Sequence, residues 1–212
     1  IDVGGGTTDL LMYVDGGIAH ASVIPAGGNN ITNDVAAGLR TPMAEAERLK
    51  RNFGCALGRM VAPDEEIEVP GVGGHGPRKV ARRVLSDIIE PRVEEIFAEA
   101  RRRLEETGVI EQVSSGVVLT GGSVLMEGMV ECAEEVLGLP VRLGCPIGVR
   151  GIVQLVQGPQ YATGVGLIRY GAHRLLEAAA REAHEMSRAP ERPRPVVEAP
   201  GAGFWGWLRA AF

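Results

Sequence analysis

Three consecutive glycines between two strand-like runs decide how this chain can begin. The run Asp2-Val3-Gly4-Gly5-Gly6-Thr7-Thr8-Asp9 cannot carry a helix or a strand through its middle, because glycine loses more conformational freedom on ordering than any other residue. A fold that keeps such a run uses its bare backbone. Residues without side chains let N–H groups approach an anion, and the hydroxyls of Thr7 and Thr8 add donors, which is what a phosphate chain asks of a loop. Asp2, at the end of the first strand, is placed to hold Mg2+ through water or to orient an attacking water. The plain alternative is a glycine-rich connection before a threonine-rich strand.

Around this run the pattern predicts a three-stranded start. Ile1 to Val3 forms one strand, and Leu10 to Val14 and Ile18 to Ile24 form a hairpin across Asp15-Gly16-Gly17, a strong turn signal. After Pro25, a Gly27-Gly28-Asn29-Asn30 turn leads into a short helix over Ile31 to Ala37, stopped by Gly38. Thr41 is read as the cap of a helix with Pro42 at its first position and Gly54 just past its end. Residues 62 to 77 are loop-rich, with a strand at Ile67 to Val69. Helical spacing runs from Arg78 to Glu106, with a kink or break at Pro91. Val117 to Thr120 reads as a buried strand, Ser123 to Leu137 as a helix closed by Gly138 and Pro140, Val141 to Leu143 as a strand, and Tyr161 to Arg181 as the last globular helix. This alternation is that of an α/β fold.

Two further places carry chemistry. Val117-Val118-Leu119-Thr120-Gly121-Gly122-Ser123 runs a buried strand through two glycines into a helix, and α/β folds leave room for a ligand at such carboxyl ends. An ordinary tight turn has the same composition. Glu47 and Lys50 share a helix face three residues apart, the spacing of a surface ion pair. Lysine occurs only at 50 and 79 in a chain with 22 Lys and Arg, which hints that an ammonium is wanted at 50. Gly71-Val72-Gly73-Gly74-His75-Gly76 fits G-x-G-x-x-G but is bracketed by Pro70 and Pro77. The acids downstream of it lie on a helix, so a mobile loop is expected there rather than a dinucleotide fingerprint.

A net charge of −5 argues against a nucleic-acid-wrapping surface, and Arg101-Arg102-Arg103 reads as a solvated helix face. Cys55, Cys132 and Cys145 show no metal spacing and are read as reduced core thiols. The opening at Ile1, mid-strand and without methionine, is read as an interruption. Aromatic residues are few, two Trp, three Tyr and four Phe, and both tryptophans fall in the last nine positions. Four prolines, at 190, 193, 195 and 200, mark 183–203 as an extended linker. Beyond it Phe204, Trp205, Trp207, Leu208 and Phe212 project to one helical face. This segment spans roughly 15 Å as a helix, too short to cross a bilayer and suited to lying in its interface.

Taken in order, these signals resemble the actin, sugar-kinase and heat-shock-chaperone ATPase superfamily, and within it the FtsA family of bacterial cell-division proteins. The stretches that carry the likeness are Pro25 to Asp34, Ala46 to Lys50, Ile88 to Ile96 and Gln160 to Gly166, together with the aromatic tip on its tether. The resemblance implies an α/β, actin-like ATPase fold. Residues 1–146 would be its second lobe with an inserted subdomain near 30–110, residues 147–182 would return to the first lobe, and the N-terminal lobe would be missing. It implies ATP and Mg2+ as cofactors, with at most a slow regulatory ATPase activity. Asp2 would act on the metal's water, Gly4, Gly5, Gly6, Thr7 and Thr8 as phosphate donors, and Gly28 and Asn29 beside the cleft. Glu47 and Lys50 would meet the ribose or base, over an adenosine floor of Gly121, Gly122 and Ser123. The implied partners are the C-terminal tail of FtsZ, other copies of the chain in a filament, membrane lipids and other division proteins, at the cytoplasmic face of the cell membrane at the septum. Arg48, Arg51, Arg82 and Arg83 are candidates for meeting an acidic peptide. A pilus-assembly actin homologue of the PilM kind, and a chaperone or kinase of the same superfamily, remain the alternatives.

Overall fold

The computed structural model describes residues 1–108, 115–150 and 153–188. Strand β1 (Asp2–Val3) pairs antiparallel with β2 (Thr8–Val14), and β2 with β3 (Gly17–Ile24). The hairpin turn has positive φ at both Asp15 (49°) and Gly16 (79°), the geometry that matches strand twist. Along β2 the burial alternates, with Thr8, Leu10 and Met12 inward and Asp9, Leu11 and Tyr13 outward. Strands β6 (Val117–Leu119) and β7 (Val141–Leu143) run parallel. They join the first sheet where Asp2 bridges Thr120, with Val3 N–H donating to Thr120 O (2.8 Å) and Thr120 N–H to Ile1 O (2.8 Å). Thr120, the residue that follows β6, is thereby brought beside the strand that leads into the first glycine loop.

One face of these strands carries Val3, Leu10, Met12, Ile24, Val117 and Leu119 into the core. Helix α1 (Gly28–Leu39) contributes Ile31, Val35 and Leu39 to it, α3 (Arg82–Glu106) adds Leu85, Ile89, Val93, Phe97, Ala100 and Leu104, and α4 (Met129–Leu137) adds Met129, Cys132, Ala133 and Leu137. Phe97 is the only aromatic side chain among the buried core residues described. The paucity of rings in the sequence is therefore a property of an aliphatic core. Arg92 bonds both oxygens of Asp34, Nε to Oδ2 at 2.6 Å and Nη2 to Oδ1 at 3.2 Å, tying α3 to α1.

Several elements depart from the sequence expectation. Helix α1 passes through Gly38, because Ile88 of α3 packs where a Cβ at 38 would sit (2.7 Å), and it ends at Arg40 with φ 47°. Helix α2 (Met43–Phe53) has Pro42 at its cap position, while the Thr41 hydroxyl donates to Pro70 O (2.8 Å) instead of capping it. Gly54 does follow its end, donating to Lys50 O at 2.9 Å. Residues 78–81 are not helical. They form β5 (Arg78–Ala81), antiparallel to β4 (Glu66–Val69), so the glycine loop 71–76 is a hairpin connection.

Pro91 lies inside α3 without ending it. Buried side chains on both sides of it hold the helix against a proline penalty of about 3 kcal/mol. The single helix expected over Ser123 to Leu137 is a 3-10 turn, Ser123–Leu125, followed by α4; Gly128 at φ 78° separates them, where Ala56 N–H donates to Glu127 O (2.8 Å). Of the three cysteines, Cys145 is exposed rather than in the core.

The chain divides into two compact units, Ile1–Ile168 and Arg169–Phe212. Helix α5 (Ala162–Arg188) starts in the first, and its continuation is the described part of the second. It keeps residues 183–188, expected as linker, helical. The remaining linker and the aromatic tip, Phe204, Trp205, Trp207, Leu208 and Phe212, lie outside the described residues. No described helix is long and apolar enough to cross a membrane.

Candidate nucleotide site

The glycine loop between β1 and β2 is closed by Gly4 N–H donating to Thr7 O (2.9 Å) and is docked on the first turn of α1. Gly28 N–H donates to Gly4 O (2.9 Å) and Asn29 N–H to Gly5 O (2.7 Å). Because a trans peptide points its C=O and the following N–H in opposite directions, the N–H groups of Gly5 and Gly6 face away from α1. Those of Gly5, Gly6 and Thr7 make no backbone hydrogen bond. A Cβ built on Gly6 would meet nothing within 4 Å. The loop is thus a set of outward donors over open space, a nest of the kind that takes anions.

Close approach explains the neighbouring glycines. A Cβ on Gly27 would lie 2.7 Å from Gly4 O, and one on Gly28 would lie 2.5 Å from Ser123 Oγ and 3.4 Å from Lys50 Nζ. Ser123 Oγ donates to Gly4 O at 2.9 Å. Gly121 has φ 96°, and a Cβ there would lie 2.4 Å from Val3 O and 2.5 Å from Asp2 Oδ1. Residues 4, 28, 50 and 123, far apart in sequence, therefore converge on one point, with 2 and 121 beside it.

Lys50 is more than a surface ion pair. Its side chain is 11% exposed, and its ammonium donates to Glu47 Oε2 (2.6 Å), Thr32 Oγ1 (2.8 Å) and Gly28 O (2.9 Å). Thr32 Oγ1 also lies 2.5 Å from Glu47 Oε2. Partial burial works to raise the Glu47 carboxyl, but the hydrogen bonds from Lys50 and Thr32 and the charges of Lys50 and Arg51 outweigh it and hold the group below its ordinary 4.5.

Some expected roles change. The Thr8 hydroxyl is buried and donates to Ala26 O (2.8 Å), because β2 alternation turns residue 8 into the core, so it is no phosphate donor. The N–H groups of Gly28 and Asn29 are occupied by the loop carbonyls, so these residues shape the cradle rather than line it. A Cβ added at Gly122 would meet only Gln160 Cβ, at 3.8 Å, an ordinary contact, so no close approach demands glycine there. Of the arginines suggested for an acidic peptide, Arg82 is paired with Glu65 (2.6 Å) and Glu127 and donates to Phe53 O (2.8 Å), while Arg48 pairs with Glu45 (2.8 Å) and Arg83 with Asp87 (2.9 Å), so all three already have acidic partners within the chain. Sequence reasoning missed Thr32, Gly27 and Thr163. The last donates from Oγ1 to Asp2 Oδ2 at 2.5 Å. Each stands in a stretch rich in small and polar residues, but none has a spacing that marks it alone.

A carboxylate whose folded pKa lies below its unfolded value adds stability above about 4.5 and loses that contribution as pH falls through the folded value. With Glu47 about two-fifths exposed (41%), its contribution at neutral pH is on the order of 1 kcal/mol or less. Melting temperatures of the unmodified protein and of Glu47→Gln should therefore differ at pH 7 and converge as the pH falls below 4.5 and through the folded value. A gap independent of pH would show that the Lys50 pair gives Glu47 no stabilising role.

The family model described as Cell division protein FtsA matches residues 1–166. The FtsA of Pseudomonas aeruginosa is 41% identical over 199 residues, covering 93% of this chain and 48% of that protein. That of Escherichia coli is 38% identical over 224 residues, covering 100% and 50%, and that of Neisseria meningitidis 46% over 169 residues, covering 79% and 41%. The chain thus spans about half the length of these relatives. Among solved structures, MreB5 of Spiroplasma citri bound to ADP aligns with TM-score 0.62 at 17% identity, over 87% of this chain and 54% of that one. The PilM–PilN type IV pilus biogenesis complex aligns at 0.58 with 23% identity, over 80% and 44%, and the MamK double helical filament at 0.56 with 18%, over 81% and 53%. These similarities establish the actin-like ATPase fold, and the family match together with identities of 38–46% places this chain in the FtsA family of cell-division proteins.

Proposed function

We propose that this FtsA-family chain is part of an ATP-binding, filament-forming adaptor that fastens the FtsZ ring to the inner face of the cytoplasmic membrane at the septum. The observation that carries the nucleotide part is the loop Gly4–Thr7, with the carbonyls of Gly4 and Gly5 bound to α1 and the N–H groups of Gly5 to Thr7 without backbone partners, following the strand that carries Asp2. The cradle fits a phosphate chain: Gly6 is open, and the neighbouring glycines leave the backbone bare. For Mg2+ the fit rests on the Asp2 carboxylate, whose Oδ1 lies against Gly121 and whose Oδ2 accepts from Thr163. Mg2+ keeps several waters and binds phosphate oxygens with one or two carboxylates, and Asp2 is the carboxylate at hand. Bound Mg2+ supplies charge neutralisation of the phosphates. The chain's own part is to donate N–H groups from Gly5, Gly6 and Thr7, to hold a metal-bound water at Asp2, and to present Glu47 to a ribose hydroxyl from a helix pinned by Lys50. Relatives of the same fold were solved with ADP and with AMPPNP, and another as a double helical filament, which supports nucleotide binding and self-association here.

The tip supports the membrane part of this reading. Burying Phe204, Trp205, Trp207, Leu208 and Phe212 contributes roughly 1.5–3 kcal/mol for each large side chain, less the cost of ordering a short helix. One copy binds weakly, and many copies on a polymer bind firmly. By family resemblance the FtsZ tail docks on the inserted subdomain.

Two measurements on the full-length protein test these parts separately. Asp2→Ala should lower ATP affinity in Mg2+ at least about tenfold, an energy of about 1.4 kcal/mol, with the melting temperature little changed; unchanged affinity and turnover would remove Asp2 from the site. Deleting 204–212 should abolish sedimentation with liposomes, and because Arg209 is the only basic residue in that tip the unmodified protein's binding should depend only modestly on salt. Normal sedimentation of the truncated protein would exclude the tip as the anchor.

A further inference from the structure

Asp2 cannot fix its own carboxylate, because the terminal torsion of aspartate is broad and roughly two-fold. Something else must set the plane in which its oxygens face a metal-bound water. Two elements flank the group. On one side is Gly121, whose added Cβ would lie 2.5 Å from Asp2 Oδ1, so the bare glycine admits that oxygen against the β6 loop. On the other side is the first turn of α5, where the Thr163 hydroxyl donates to Asp2 Oδ2 at 2.5 Å. A hydrogen bond from hydroxyl to carboxylate at this range is charge-assisted, roughly twice as strong as a neutral one.

The position of Thr163 is itself set from the loop that touches Asp2. Gly121 N–H donates to Pro159 O (3.1 Å), and Tyr161 N–H to Gly158 O (3.1 Å), which builds the 3-10 turn Pro159–Tyr161 leading directly into α5. Gly121 thus both makes room for Asp2 Oδ1 and anchors the turn that presents Thr163 to Oδ2. Asp2, its cross-strand neighbour Asp9, Thr120 and Thr163 are among the residues that line an open groove of about 1200 Å3.

We propose that Thr163 is a positioning residue for the nucleotide-bound metal: its hydroxyl fixes the Asp2 carboxylate in the orientation that receives a Mg2+-bound water. The inference rests on the reading of Asp2 given above. It assigns no contact between Thr163 and the nucleotide.

The test compares ATP affinity of the full-length protein in Mg2+ and in EDTA for the unmodified chain, Thr163→Val, Thr163→Ser, Asp2→Ala and the Asp2→Ala/Thr163→Val double variant. Valine keeps the shape and removes the hydroxyl; serine keeps the hydroxyl. Thr163→Val should lose about five- to tenfold of the Mg2+-dependent gain in affinity, with affinity in EDTA and melting temperature unchanged, the net scale of one solvent-exposed hydrogen bond. Serine should restore the gain to within about twofold, and the double variant should be no weaker than Asp2→Ala, as expected for residues acting through one group. Loss of the gain in Asp2→Ala with full retention in Thr163→Val would overturn the role of Thr163 alone, as would equal weakening in Mg2+ and EDTA that serine does not repair. If Asp2→Ala retains the full gain, the reading of Asp2 fails and this inference fails with it.

Discussion

Two hydrogen bonds determine what the rest of this structure can do: Gly28 N–H to Gly4 O and Asn29 N–H to Gly5 O. They draw the carbonyls of the glycine loop onto the start of α1, and peptide planarity turns the following N–H groups the other way. An unpaired carbonyl on the donor face would repel a phosphate; here those of Gly4 and Gly5 are already bonded elsewhere. Without the α1 contact the loop would be three flexible glycines with no preferred side.

The surroundings keep that arrangement in place. Gly4 O accepts a second hydrogen bond from Ser123, so the β6 loop holds the same carbonyl from another direction. Lys50 holds the carbonyl of Gly28 and is itself held by Glu47 and Thr32. A buried ammonium is tolerated only when its donors are matched, and here three acceptors match three protons. The helix carrying Glu47 is thereby linked to the first turn of α1, and through it to the glycine loop. A substitution at Gly27, Gly28 or Gly121 would act by pushing these elements apart, since an added Cβ at each would meet backbone or polar atoms within 3 Å.

Much of this was legible in the residues. The hairpin across Asp15-Gly16, the strands at 117–119 and 141–143 and the glycines at 4–6 and 121–122 are signalled by turn chemistry and by apolar runs, which act locally. The misread elements are those decided by distant partners. Gly38 looks like a helix stop until Ile88 is packed on it, and 78–81 looks helical until β4 is laid beside it. Gly128 breaks a plausible helix because the 55–57 segment pairs with Glu127. Within the site, residue types were legible and their partners were not. By residue type the Thr8 hydroxyl reads as a donor to phosphate alongside that of Thr7, whereas strand alternation sends it to Ala26 O. Thr163 lies in a stretch that carries the family likeness, but its partner was not legible, because that partner is a carboxylate 161 positions away.

The central claim, that the N–H groups of Gly5, Gly6 and Thr7 form the phosphate cradle, is tested most directly by residue-resolved amide hydrogen exchange on the full-length protein with and without Mg2+ and ATP. The three amides, free of backbone partners in the loop, should exchange at least about tenfold more slowly with nucleotide bound, a gain of one hydrogen bond each. The amides of Gly28 and Asn29, already bonded to the loop, should change little. Protection confined to Gly28 and Asn29, with Gly5 to Thr7 unaffected, would contradict the account.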